Sequence, residues 1–269
     1  YIGTFRHKTS GAIFLSSGTP TIEGQTSDNT RTITAVANGS LTATATTGSI
    51  TQSGALSITG DSVFRTREAE ADITLQHTSN NLYGDVAFFT TGSRGDVAAY
   101  SSLAFYLDTS TINGNLAVVT NNTGKANIGD SGIVTVSGTT DLSAAGTSNT
   151  KNAFIYMDDF AHVFRGGISA RGHHVKLRLG GDSTDGGTAL GTIYAARGKT
   201  EITSTSANGS LTQTGPIQVS SDTTIWAGSN DVTLDHASNS FGGNSTSGAA
   251  NANVVVGDEL IIISGNNVV

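Results

Sequence analysis

The sequence GSITQSGALSI at residues 48–58 decides the fold, because a closely similar sequence occurs again much later in the chain. That second copy reads GSLTQTGPIQV at residues 209–219. The similarity continues past both copies, where ITLQHTSNNLYG (73–84) corresponds to VTLDHASNSFG (232–242). Self-similarity of this kind indicates a fold built from one repeated structural unit.

A third and more divergent copy lies between these two. The sequence IGDSG (128–132) corresponds to ITQSG (50–54), and IYMDDFAHVFRG (155–166) corresponds to the second half of the unit. The superrepeat therefore takes about 80 residues, enough for several coils of a solenoid. We predict units at about 30–107, 108–190 and 191–269, with residues 1–29 as an irregular or capping segment.

The whole chain has the pattern of short strands. Apolar or alternating runs such as Leu116–Val119 and Val134–Val136 are bounded by Gly, Asn, Asp or Ser. No segment has helical spacing of apolar residues over three turns. Glycine supplies 34 of the 269 residues, and charged residues supply only 13%, against about 25% in an average soluble domain. These features predict an all-β chain.

A stacked solenoid accounts for the long period. Each coil of a solenoid leaves an apolar edge that only the next coil covers, whereas a globular sandwich needs no such period. We therefore predict a single parallel β-helix over residues 1–269, with about 20–25 residues in each coil. A pair of β-sandwiches is the alternative.

The composition excludes several classes of function. A net charge of −7 disfavours a nucleic-acid partner, which requires a basic face. No apolar run approaches the ~18 residues that span a bilayer. The absence of cysteine excludes disulfides and thiolate metal sites. We expect no cofactor, no metal site and no catalytic residue.

Two stretches of sequence resemble a known family. GSITQSGALSITG (48–60) and STINGNLAV (110–118) are similar to the repeats of filamentous-haemagglutinin-like large exoproteins. These are secreted adhesins of Gram-negative bacteria, exported by two-partner secretion or related type V routes. The resemblance covers roughly residues 30–250 and implies a right-handed β-helix shaft, a cell-surface or extracellular location, and a role in adhesion or biofilm formation. The family's Asn-Pro-Asn-Gly secretion signature does not occur, so we expect a shaft segment.

The expected function is structural rather than enzymatic. Stacked coils would make a stiff rod that holds a binding element away from the cell. Residues 251–269 still have the pattern of strands, at Val254–Val256 and Leu260–Ile263, without a polar cap. Open strand edges favour further pairing, so we expect either that the natural protein continues or that copies stack head to tail into a filament. A host receptor or a glycan is the other expected partner.

One candidate receptor-binding motif is the integrin-type tripeptide Arg94, Gly95 and Asp96. It follows Gly92 and Ser93, so we predict that it lies in a loop. An exposed Arg and Asp on either side of glycine would present opposite charges to a receptor. A solvated turn is the alternative interpretation.

The alternative function is a polysaccharide-binding or polysaccharide-cleaving β-helix, with Tyr156, Asp158 and Asp159 as candidate glycan contacts. Together with the His173–His174 pair and Lys176, these carboxylates resemble in part the site of pectin-degrading β-helix hydrolases. The histidine motif here reads Gly-His-His rather than Gly-His-Gly, and no Asn-Thr-Asp motif occurs. We therefore favour a charged turn over a catalytic pair.

Asn80 and Asn239 occupy the same position in their units, just before the aromatic residue that ends the unit. An asparagine at a β-helix turn bonds backbone groups or forms a ladder with neighbouring coils, so we interpret both as structural. The middle unit has His162 at this position. His77 and His236 recur just after a strand, and we expect them at an exposed corner.

Overall fold

The computed structural model is a β-solenoid, in which the chain passes from one sheet to the next and returns one rung further along. It describes residues 5–6, 21–24, 30–33, 36–37, 39–52, 54–122, 126–146, 153–181, 187–205, 210–228, 230–242 and 260–263. The strands form three sheets, which we call sheets A, B and C.

The 28 described strands are numbered in chain order. Sheet A contains β1 (Phe5–Arg6), β2 (Thr21–Gly24), β5 (Leu41–Ala45), β8 (Ser62–Ala69), β11 (Asp85–Thr91), β13 (Phe105–Leu107), β14 (Ser110–Ile112), β16 (Ile128–Asp130), β17 (Val134–Val136), β19 (Phe154–Phe164), β21 (His174–Leu179), β23 (Thr200–Ser204), β26 (Thr223–Trp226) and β28 (Leu260–Ile263). Sheet B contains β3 (Thr30–Ile33), β6 (Ser49–Gln52), β9 (Ile73–Leu75), β12 (Val97–Ser101), β15 (Leu116–Asn122), β18 (Thr140–Gly146), β20 (Ile168–Gly172), β22 (Thr188–Ala195), β24 (Leu211–Gln213), β25 (Ile217–Val219) and β27 (Ser240–Phe241). Sheet C contains β4 (Val36–Ala37), β7 (Ser57–Ile58) and β10 (Asn81–Leu82).

Neighbouring strands are parallel throughout the part of the chain that the structure describes. The longest path in sheet A joins twelve strands in sequence order, from β1 to β28. One coil extends from Ile128 to its partner Ile155, and the next, which is shorter, extends from Ile155 to its partner Val175. Each passage around the axis therefore adds a rung to sheets A and B, with a coil length that varies, whereas sheet C has only three described strands.

The core consists of columns of inward side chains, because alternate residues of each strand point to the same face. Phe64, Phe88 and Phe105 form such a column in sheet A, and all three are fully buried. Their rings stack at centroid distances of 5.9 Å and 6.3 Å. Ile128 pairs directly with Phe105 and continues the column, and Ile155 and Val175 follow it on the next two strands. Burial of these columns is the main contribution to the stability of the stack.

A column of glycines marks the corner where the chain enters sheet B. The Gly114 amide donates to the Gly95 carbonyl (3.2 Å), Gly138 donates to Gly114 (2.9 Å), and Gly166 donates to Gly138 (3.1 Å). Successive coils approach one another closely here because no side chain separates the backbones. The corner therefore fixes the register with which sheet B begins.

The predicted parallel β-helix with an internal superrepeat is confirmed, and the predicted coil length is close to the observed one. Within residues 1–29 the structure describes β1 and β2, both in sheet A. Of the predicted carboxyl-terminal strands, Leu260–Ile263 is β28 and pairs with β26, whereas residues 254–256 lie outside the described residues. Head-to-tail stacking stays a prediction. No helix in the described ranges is both long and apolar enough to cross a membrane.

Candidate functional site

Gln52 and Asn80 form a closed pair of amide hydrogen bonds between two coils of the first repeat. Gln52 Nε2 donates to Asn80 Oδ1 (2.7 Å), and Asn80 Nδ2 donates back to Gln52 Oε1 (3.0 Å). Asn80 is fully buried, and its Oδ1 also accepts the Leu56 amide (2.9 Å). The Gln52 Oε1 atom accepts the His77 amide (3.2 Å). We call this arrangement the amide clasp.

The third repeat contains the same clasp. Gln213 Nε2 donates to Asn239 Oδ1 (2.5 Å), and Asn239 Nδ2 donates to Gln213 Oε1 (3.0 Å). Asn239 Oδ1 accepts the Ile217 amide (2.9 Å), and Gln213 Oε1 accepts the His236 amide (3.2 Å). Each clasp thus satisfies two side-chain amides and two backbone amides at the turn that precedes the next strand.

The middle repeat replaces the amide clasp by Asp130 and His162. His162 Nε2 lies 2.9 Å from Asp130 Oδ2, and the two side chains are 0% and 2% exposed. The Val134 amide donates to His162 Nδ1 (3.1 Å), as Leu56 does to Asn80. The Phe160 amide donates to Asp130 Oδ2 (3.2 Å). Asp130 therefore has the role of glutamine, and His162 has the role of asparagine.

The hydrogen bonds define the tautomer of His162. Because the Val134 amide donates to Nδ1, that nitrogen is an acceptor and carries no proton. Nε2 then carries the proton and donates it to the Asp130 carboxylate. The ring also stacks on Phe164 at 5.7 Å. The middle repeat therefore contains a neutral histidine and a carboxylate, both enclosed by the core.

Asp96 lies in a ladder of side-chain caps beside the glycine column. The Asp96 amide donates to Asp72 Oδ1 (2.8 Å), and Asp96 Oδ1 accepts the Asn115 amide (2.7 Å). One coil further, Asn115 Oδ1 accepts the Thr139 amide (2.9 Å). One oxygen of the Asp96 carboxylate is thus engaged with the next coil.

The other two residues of the tripeptide differ in exposure. Arg94 is exposed, whereas Gly95 is buried and lies against Thr90. The tripeptide is therefore a corner of the solenoid, with its arginine directed to the surface and its aspartate in the cap ladder. Receptor binding by this motif stays a prediction.

Two substitutions at Asp96 separate the corner role from receptor binding. Asp96→Asn keeps the Oδ1 acceptor, so we expect unfolding free energy within about 0.5 kcal/mol of the native chain. Asp96→Ala leaves the Asn115 amide without this partner and is expected to cost about 1 kcal/mol. Urea unfolding measures both. Cell attachment by the Asn variant then tests the receptor role, because only the charge is lost. Equal stability of both variants would contradict the cap role.

A bulge in β19 forms one wall of a cleft on the outer face of sheet A. Between the pairs Met157 with Leu177 and His162 with Leu179, β19 has five steps where β21 has two. The three extra residues carry Asp158 and its neighbours outward. The cleft has a volume of about 440 Å³ and is lined by Tyr156, Asp158, Asp159, His174, Val175, Lys176, Lys199 and Glu201.

Lys176 links two carboxylates across this cleft. Its Nζ lies 2.9 Å from Asp158 Oδ2 and 3.4 Å from Glu201 Oε2. The hydrogen bond and charge of Asp158, with a smaller contribution from Glu201, raise the pKa of Lys176 above its ordinary value. The ammonium is therefore charged at neutral pH, and the cleft presents fixed donors and acceptors of both signs.

Two rings that line the cleft, those of Tyr156 and His174, both pack against Phe154. The Phe154 ring centroid lies 5.1 Å from that of Tyr156, and the edge of His174 meets Phe154 at 4.6 Å. Burial, then the charge of Asp158, raises the pKa of Tyr156, so its hydroxyl is protonated at neutral pH. The cleft is thus lined by the rings of Tyr156 and His174 together with charged side chains.

The histidines beside the cleft make stability depend on pH. Burial lowers the pKa of His173 and of His174, so the folded chain holds both neutral more strongly than the unfolded chain does. Their contribution is complete above about pH 6.5 and is lost as the pH falls. We expect the urea midpoint to fall less between pH 7.5 and 5.5 in the His173→Gln/His174→Gln variant than in the native chain. An identical fall would contradict this prediction.

The sequence indicated part of this cleft. Tyr156, Asp158 and Asp159 are the predicted glycan contacts, and all three lie in it. Glu201 and Lys199 were not indicated, because they reach the cleft only through the register of β21 and β23, in which Lys176 pairs with Glu201. The described residues contain no group of three or more His, Asp or Glu side chains placed to hold a metal ion.

Comparison with protein families gives one match, which covers more than half of the chain. Residues 17–88, 94–170 and 173–248 each match the family described as "Repeats of unknown function (DUF5649)". The chain belongs to this family. The three matched segments are nearly equal in length, and each is close to the superrepeat seen in the sequence. Comparisons with curated proteins and with solved structures gave no match.

Proposed function

We propose that this chain is part of the stiff shaft of a secreted bacterial surface adhesin or extracellular filament. The observation that carries the proposal is the continuous ladder of sheet A, in which twelve parallel strands follow one another without a change of direction. In this role the chain acts mechanically rather than as an enzyme. It holds a binding element at a distance from the cell.

The structure of the repeats suits such a role. Each coil contacts only its neighbours, so a chain gains length by adding repeats without a new core. Bending the rod would require breaking strand ladders on one side and separating core columns such as Phe64 and Phe88. The clasps and the glycine column add hydrogen bonds between successive coils at the corners.

Distance measurements between two spin labels test the stiffness. The chain has no cysteine, so Val63→Cys and Trp226→Cys provide the two labelling positions. These residues lie seven strand spacings apart in sheet A, at β8 and β26, which corresponds to about 34 Å. We expect one narrow distance distribution near that value in native buffer. A broad distribution, like that of the same chain in guanidinium, would contradict a stiff shaft.

Labelling of intact cells tests the location. Antibodies against the purified chain are expected to label unpermeabilised producing cells, and brief treatment with external protease is expected to remove the label. An antibody to a cytoplasmic protein is the control and should label only permeabilised cells. Labelling that requires permeabilisation would overturn the proposed surface role.

A further inference from the structure

Two tyrosines form an exposed aromatic strip along the axis of the solenoid. Tyr106 pairs with Gly129, and Gly129 pairs with Tyr156, so the two rings share one ladder position of sheet A. Tyr106 is 40% exposed and Tyr156 is 37% exposed. Their α-carbons are two strand spacings apart, which is about 10 Å.

Gly129 allows the strip to be continuous. A β-carbon at Gly129 would lie 2.9 Å from two carbon atoms of the Tyr106 ring, so this ring occupies the space that a side chain would take. The Tyr106 ring therefore covers the rung between the two tyrosines. Phe154 extends the apolar surface on the side of Tyr156.

Polar groups continue the same ladder beyond the aromatic strip. Tyr156 pairs with Lys176, and Lys176 pairs with Glu201. The bulge adds the Asp158 carboxylate, which is held by Lys176. We call these three charged residues the polar wall. Its ammonium and carboxylates provide donors and acceptors at fixed positions beside exposed aromatic rings.

We propose that this outer face of sheet A binds an uncharged oligosaccharide that lies along the solenoid axis. The sugar rings stack on the aromatic strip through their apolar C–H faces, and their hydroxyl groups bond the polar wall. Ligand binding at this face requires the solenoid fold but not the proposed role as a shaft.

Charge and length define the class of ligand. The polar wall pairs its lysine with two carboxylates, and Lys199 of the cleft pairs with Asp222, so neither lysine is an uncompensated positive charge that would attract an acidic polysaccharide. The ladder from Tyr106 to Glu201 spans four strand spacings, about 19 Å, which exceeds one sugar ring. An extended oligosaccharide therefore fits this face better than a monosaccharide.

Calorimetric titration of the full chain with cellohexaose, chitohexaose and maltohexaose tests the proposal. We expect at least one of these uncharged hexasaccharides to bind, and Tyr156→Ala or Tyr106→Ala to weaken that binding at least tenfold. Tyr156→Phe keeps the ring and is expected to stay within threefold. Tyr194→Ala removes an exposed tyrosine from sheet B and is expected to change nothing.

The outcomes are decisive in either direction. If none of the three hexasaccharides binds with a dissociation constant of about 10 mM or lower, the proposal is overturned. So does binding that is equal in Tyr156→Ala and the native chain, provided that circular dichroism shows both folded. Tighter binding of hexagalacturonate than of every uncharged probe overturns the choice of ligand class. These results leave the mechanical test of the shaft unaffected.

Discussion

His162→Ala is expected to destabilise the middle repeat by about 3 kcal/mol. The substitution removes the group that pairs with Asp130 and leaves a carboxylate whose side chain is 2% exposed. It also leaves the Val134 amide without its acceptor. The buried carboxylate keeps the Phe160 amide but loses its other donor, His162 Nε2. The loss of a hydrogen bond to a buried charged group is among the larger single costs in a folded chain, because no water replaces the missing donor.

Amide hydrogen exchange measures the lost stability of the middle repeat residue by residue. Solenoids unfold by coils as well as globally, so a single melting temperature would average over repeats. The amides of Val134 and Phe160 report the middle clasp, and those of Leu56 and Ile217 report the outer ones. We expect faster exchange at the first two amides and a smaller change at the other two. Uniformly unchanged exchange would contradict the structural role of His162.

A double variant tests whether the lost stability belongs to the pair of Asp130 and His162. Asp130→Gln with His162→Asn recreates the amide clasp of the outer repeats, in which the long side chain is on the first coil and the short one on the second. We expect the double variant to recover most of the loss, with a coupling free energy of about 1–3 kcal/mol. His77→Ala is the matched control, since it removes an exposed histidine and is expected to cost within about 0.5 kcal/mol.

The middle clasp also shows what the sequence could and could not provide. The period predicted the fold because stacked coils require apolar residues at corresponding positions of each repeated unit. Asn80 and Asn239 were recognised from their shared position, but their glutamine partners were not. Those partners lie on the preceding coil, as Gln52 does for Asn80. Their separation in sequence depends on coil length, which varies.

The sequence did not predict the Asp130–His162 pair of the middle repeat, because both residues of the clasp differ there. Asp130 aligns with Gln52 and His162 aligns with Asn80, but each difference alone changes the length and the chemical type of the side chain. A short aspartate with a long histidine spans the same gap as a long glutamine with a short asparagine. Only the contacts across two coils show that the pair changed together.

The outer cleft was partly predictable for a similar reason. Tyr156 and Asp158 are close in sequence, so they form a recognisable cluster. Tyr106 and Glu201 are distant from Tyr156 in sequence, and each lies two strand spacings from it through the pairing of sheet A. The register that pairs these strands cannot be derived from the sequence unless the coil boundaries are known.

Gly138→Ala is expected to destabilise the stack by about 3 kcal/mol, the upper end of overpacking costs. A β-carbon at this position would lie 2.5 Å from Asn115 Oδ1 and 2.6 Å from the Gly114 carbonyl oxygen. Neither neighbour is free to move. The Gly138 amide bonds that carbonyl, and the Thr139 amide bonds the Asn115 oxygen, both at 2.9 Å.

The cost at Gly138 is steric and not conformational. Gly138 is not among the glycines with positive φ, so alanine adopts its backbone conformation without strain. A lower unfolding free energy in Gly138→Ala therefore reports how closely the two coils approach at the corner. Ser137→Ala is the control, because Ser137 is exposed and immediately precedes the glycine.

A second substitution divides the Gly138 clash into its two parts. In the Gly138→Ala background, Asn115→Ala removes the side-chain oxygen but keeps the Gly114 backbone in contact. We expect only partial recovery of the urea midpoint, because the carbonyl at 2.6 Å belongs to the backbone of the preceding coil and has no rotamer to change. Full recovery would place the clash in the cap ladder alone. A stability of Gly138→Ala within about 0.5 kcal/mol of Ser137→Ala would show that the coils separate at this corner at little cost.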